Sequence, residues 1–169
     1  MFLANEDVRQ VFPDGECDIA QAYAMAGRRA EADALFAKAK PDYECLTAQA
    51  DAIAAHDGFA ATDAAYARAV KNAPSAPGAY QEWGAALAKR GDFARAEAMF
   101  RKANEMGPNW ADPLKSLGDM AARRGALRDA RDLYARATPL APHWAALSSA
   151  RADVDARIAA LPWWKRWFL

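Results

Sequence analysis

The sequence superimposes on itself when it is shifted by 34 residues, a property that few architectures share. The shift lays Gly84 on Gly118, Gly91 on Gly125, Ala96 on Ala130, Phe100 on Tyr134, Ala103 on Ala137 and Pro108 on Pro142. In the other direction Phe59, Tyr66, Ala69 and Pro74 fall on Phe93, Phe100, Ala103 and Pro108. Tyr23, Gly27, Ala32, Phe36 and Ala39 repeat the spacing once more, with Pro41 arriving three residues early. The chain therefore divides into an N-terminal segment 1–12, four units (13–42, 43–76, 77–110 and 111–144), a half-unit 145–161 and a tail 162–169.

Each unit has a simple physical logic. A first helix, such as 78–90, ends near a glycine able to take the left-handed conformation that closes a helix. A second helix, such as 93–106, follows a tight turn and stops before Pro108. Small residues at Gly84 and Ala96 let the two backbones approach, and Phe100 fills the space left between helices. Composition agrees: 46 of the 169 residues are alanine, against nine Gly and nine Pro, so the chain is expected to be all-α. Sandwich, barrel and doubly wound folds are excluded. Neither helix of a unit buries its apolar stripe alone, so the units must stack.

The pattern Tyr80-x2-Trp83-Gly84-x2-Leu87, then Ala96-x3-Phe100, Ala103 and Pro108, resembles the tetratricopeptide repeat. The following unit is similar: Leu114-x2-Leu117-Gly118-x2-Ala121, then Ala130-x3-Tyr134, Ala137 and Pro142. Ala50 stands in for the first glycine of the second unit, Thr62 for its usual alanine, and Asp57-Gly58 reverses the turn order. The resemblance implies a right-handed α-solenoid of antiparallel helix pairs with a C-terminal capping helix. A pentatricopeptide RNA-binding array fits less well, since its period is 35 and its members tend to be basic.

Charge and motifs exclude most other functions. Lys+Arg and Asp+Glu both total 22, so nothing suggests a phosphate-binding surface, and no nucleic-acid partner is expected. The charges are unevenly placed, with a net of −5 over residues 1–76 and +5 over 77–169. Cys17 and Cys45, 28 positions apart with no nearby histidine, read as two thiols of a reducing compartment rather than a disulfide or a metal site. The opening MFLANEDVRQVF lacks a basic region and a long apolar run, so no signal peptide is expected. No stretch reaches the ~18 apolar residues of a membrane span, and the expected location is cytoplasmic. His56 and His143 fall at helix ends, far apart in a stacked array. No phosphate loop, HExxH or paired-cysteine zinc spacing is present, so neither enzyme nor cofactor is expected.

The resemblance implies a concave groove lined by the first helix of each unit, at its second, fifth, sixth and ninth positions. These are Asp14, Cys17, Asp18 and Gln21; Glu44, Thr47, Ala48 and Asp51; Gly78, Gln81, Glu82 and Ala85; and Asp112, Lys115, Ser116 and Asp119, with Asp153 continuing on the last helix. Seven acids and one lysine among sixteen positions make that face negative, while Lys89, Arg123 and Arg157 one turn on make the opposite lip basic. Some family members clamp a partner's C-terminal carboxylate with Lys, Asn and Arg. The corresponding positions here hold Cys17, Gln21, Ala48, Gly78 and Glu82, so a basic or mixed-charge peptide is the expected partner.

The tail Pro162-Trp163-Trp164-Lys165-Arg166-Trp167-Phe168-Leu169 carries three of the six tryptophans. Its simplest reading is a cap on the last apolar face. The alternatives are docking onto a partner or a second copy, giving a homo-oligomer, and contact with a membrane interface, where Trp beside Lys and Arg is favoured. The overall expectation is a non-enzymatic interaction scaffold. Its rival is an assembly factor held at the cytoplasmic membrane face by the tail.

Overall fold

The computed structural model describes residues 15–39, 42–56 and 59–167. Its helices are α1 (Glu16–Met25), α2 (Arg29–Phe36), α3 (Tyr43–His56), α4 (Phe59–Asn72), α5 (Pro77–Lys89), α6 (Phe93–Met106), α7 (Ala111–Arg123), α8 (Leu127–Ala137), α9 (Ala145–Ala159) and α10 (Trp163–Trp167). Among the described residues there is no strand. Two compact units result, Met1–Glu82 and Trp83–Leu169.

Helix ends follow local chemistry. Gly27, Gly91 and Gly125 take φ of 75°, 86° and 81° just after α1, α5 and α7, which is where a side chain would be strained. Asp92 caps α6 by accepting from the Arg95 backbone N–H at 3.3 Å, and Asp42 accepts from that of Cys45 at 2.9 Å. The second helix of the last unit ends at Ala137, well before the Pro142 that marks the repeat, because Pro139 also follows.

In the first unit α1 pairs with α2, α3 with α4, and α1 lies against α3. Ile19, Ala20, Tyr23, Ala24, Ala32, Phe36 and Cys45 form one core, while Leu46 and Ala69 close on Ala79 of α5. In the second unit Leu87, Ala96, Phe100 and Leu117 form a core, as do Leu114, Ala130, Tyr134, Leu147 and Val154. Rings rather than aliphatics fill the gaps. A Cβ added at Gly84 would meet Phe100 Cε1 at 2.6 Å, and one at Gly118 would meet Tyr134 Cδ1 at 2.7 Å. The bare glycine is thus the notch that receives the ring from the partner helix. Ala50 and Thr62, the departures from the repeat, are 0% and 3% exposed, so both still act as small buried contacts.

The end of the array is closed by α9. Leu147 and Val154 are each 1% exposed, and Ile158 and Leu161 pack beside them. Pro162 then interrupts the chain, and Trp163 and Trp164 are left 70% and 49% exposed. The last core is therefore covered by α9, with these two rings lying beyond it.

Candidate functional site

Helical spacing puts positions i, i+3, i+4 and i+7 on one face, and in the first unit that face is concave. Cys17, Asp18 and Gln21 of α1, Glu44, Thr47, Ala48 and Asp51 of α3, and Gly78 and Glu82 of α5 line one depression of about 440 Å³. Gly15, Asp42 and Cys45, outside the expected register, complete the wall. Among the described residues, five carboxylates (Asp18, Asp42, Glu44, Asp51, Glu82) and no Lys or Arg border it. All but Asp51 are exposed, and Asp51 accepts a hydrogen bond from the Tyr66 hydroxyl of α4. Gln81, expected in the same set, is instead buried at 9% exposure and does not line the depression. Asp14 lies outside the described residues.

The disposition of the cysteines differs from expectation. Cys17 and Cys45 form a disulfide, their Cα atoms 5.4 Å apart, between α1 and α3 in the wall of the depression. Cys17 lies in the first turn of α1 and Cys45 in the first turn of the neighbouring α3, so the two face each other across 28 residues of sequence. The two thiols expected from the sequence are thus joined to each other.

In the second unit the expected residues are held by neighbours. Lys115 Nζ sits 2.7 Å from Asp119 Oδ2 and 5.7 Å from the Trp144 ring centroid. Tyr134 donates to Asp119 Oδ1 at 2.8 Å. Burial first, then that hydrogen bond and the Asp119 charge, push the Tyr134 hydroxyl well above its ordinary range. The expected basic lip is also engaged. Arg123 stacks on Phe93 at 4.1 Å, and Arg157 donates to the Ala122 carbonyl at 3.0 Å while pairing with Asp153 at 3.5 Å. In the tail Arg166 is exposed; the side chains of Lys165 and Trp167, and all of Phe168, lie outside the described residues.

No protein-family model matches the sequence, and no curated protein resembles it at sequence level. Solved structures do. PilF of Pseudomonas aeruginosa superimposes with a TM-score of 0.74 at 15% identity, over 88% of this chain and 70% of that one. The first TPR domain of Spaghetti (RPAP3), bound to the HSP90 peptide SRMEEVD, gives 0.64 at 15% identity, over 70% and 94%. The chain has the tetratricopeptide-repeat fold. MamA (AMB-1) gives 0.63 at 21% identity over 95% and 90% of the two chains. The TPR fold accounts for the glycine notches and for the face that the register selects, and it places the array among α-solenoids. Among the described residues no helix is long and apolar enough to cross a membrane.

Proposed function

We propose that the chain is a non-enzymatic interaction scaffold whose first unit takes a basic or mixed-charge peptide in the depression between α1, α3 and α5. The observation that carries this is the lining: among the described residues five carboxylates and no Lys or Arg, with room of about 440 Å³. The peptide seen on RPAP3, SRMEEVD, is acidic in its second half, and this depression would repel such a sequence. A preformed concave face also keeps the ordering cost of binding low.

The disulfide bears on location. The cytoplasmic placement expected from sequence requires Cys17 and Cys45 as thiols, whereas the cross-linked form belongs where thiols are oxidised. Trapping free thiols with an alkylating reagent at the moment of lysis decides between them. The binding reading is tested by titrating fluorescent Lys/Arg-rich and Asp/Glu-rich peptides of equal length. Saturable binding of the first alone, lost in Glu44→Lys/Glu82→Lys, supports it. Equal binding of both, or none, overturns it.

A further inference from the structure

We propose that the tail of one copy docks into the acidic depression of a second copy. The inference rests on the reading of that depression as a peptide site and names its occupant. The last core is covered by α9, and beyond it Trp163 leaves 70% and Trp164 49% of its surface facing solvent. Tryptophan offers roughly 150–250 Å² of contact area and, with arginine, dominates interface hot spots. Beside the two rings the sequence supplies Lys165 and the exposed Arg166, and no acid follows Asp155. The depression has the complementary character, with Asp18, Glu44 and Glu82 exposed around its apolar Ala48 and cystine wall. The wider field agrees: the first unit carries 13 acids and 7 bases, the second 9 acids and 15 bases. Opposite charge on the two units favours head-to-tail encounter over like-to-like pairing.

Such a contact joins two different surfaces, so it is heterologous and does not saturate at two copies unless a ring closes. A copy that has inserted its tail still offers an empty depression, and assembly continues with concentration.

The experiment is sedimentation of the full-length oxidised chain across a concentration series at low and high salt. Expected is an average size that grows with concentration and falls with salt, since exposed charges are screened beyond ~10 Å at 0.1 M. Lys165→Glu/Arg166→Glu and Glu44→Lys/Glu82→Lys should each weaken association roughly tenfold or more, because exposed attractive pairs become repulsive. Mixing the two variants restores it, since an acidic tail then meets a basic depression and the reverse. A chain monomeric at every concentration overturns the proposal, as does association indifferent to both variants. Binding to anionic vesicles that requires residues 162–169, with no self-association, assigns the tail to a membrane surface and overturns it too. A Lys/Arg-rich peptide that binds a chain which never self-associates sinks this inference alone; failure of both removes the peptide site with it. Far-ultraviolet circular dichroism of each variant confirms that helix content is retained.

Discussion

Tyr134 in α8 donates its hydroxyl to Asp119 in α7 at 2.8 Å, and Tyr66 in α4 donates in the same way to Asp51 in α3. Both pairs span fifteen residues, and they stand two repeat lengths apart. The matching positions of the third unit hold Ala85 and Phe100, so hydroxyl and carboxylate are missing together. The acid at the ninth position of these two units is thus held by the tyrosine of the paired helix, which at Tyr134 also fills the notch at Gly118. Core and surface are coupled at one residue.

That coupling predicts a matched pair of substitutions. Phe100→Tyr would bury a hydroxyl beside Ala85 with no carboxylate to receive it, costing about 1–3 kcal/mol. Adding Ala85→Asp should recover part of the loss, with a coupling of about 0.5–3 kcal/mol in a urea-unfolding cycle. Strict additivity would show that the Tyr–Asp register does not transfer between units.

Tyr134→Phe is expected to cost about 1–2 kcal/mol, a hydrogen bond to a charged but part-exposed group. It should also change the alkaline limb of stability. The folded-state pKa of Tyr134 is raised above the unfolded value near 10.0, so its contribution is complete below that pH and is lost as pH rises further. Above that pH, stability of the parent chain should fall more steeply than that of the variant, by up to about 1.4 kcal/mol per pH unit. Parallel curves from urea melts would contradict this.

The notches are tested by size. Gly118→Ala places a methyl against the Tyr134 ring, and Ala96→Leu and Ala130→Leu overfill positions that are 0% exposed. Each should cost roughly 1–3 kcal/mol. Ala94→Leu, on the exposed side of α6, should change stability by less than about 0.5 kcal/mol. Equal losses at buried and exposed sites would sink the register.

Charge reversal separates Glu82 of the depression from Asp119, which is tied to Tyr134 and Lys115. Glu82→Lys, on an exposed side chain, should weaken a cationic peptide and leave the melting temperature unchanged. Asp119→Lys should also destabilise the fold, because it removes the acceptor of Tyr134 and faces Lys115 with a like charge. Calorimetry on the two proteins checks both halves.

Much of this was legible in the sequence. The repeat placed α5 and α6 within a residue of their observed ends, and helical spacing selected Cys17, Asp18, Gln21, Glu44, Thr47, Ala48, Asp51, Gly78 and Glu82 as neighbours on one face. What escaped depends on relations between helices rather than along one. The Cys17–Cys45 link required knowing that the first turns of α1 and α3 stand side by side. The Tyr–Asp ties required the register of second helices on first ones, although the shared fifteen-residue interval was a usable signal. The burial of Gln81 depends on how α5 packs against its neighbours, and the exposure of Trp163 on the break at Pro162 after α9.

Removing the cross-link should be costly. Closing a loop of 28 residues is worth about 3–4 kcal/mol in the chain-entropy account, so Cys17→Ser/Cys45→Ser or a reductant should lower the melting temperature of the first unit. An unchanged melt under reductant would show that the thiols are not joined in solution.

The same link makes oxidation and occupancy a single thermodynamic system. Cys17 and Cys45 sit in the wall that a bound segment would touch, so a partner preferring the tied wall must, by reciprocity, hold the sulfurs together more firmly. A loaded chain would then resist dithiol reduction longer than an empty one. The chain would carry a chemical memory of whether it is engaged, written in two atoms and readable by the redox state of its surroundings.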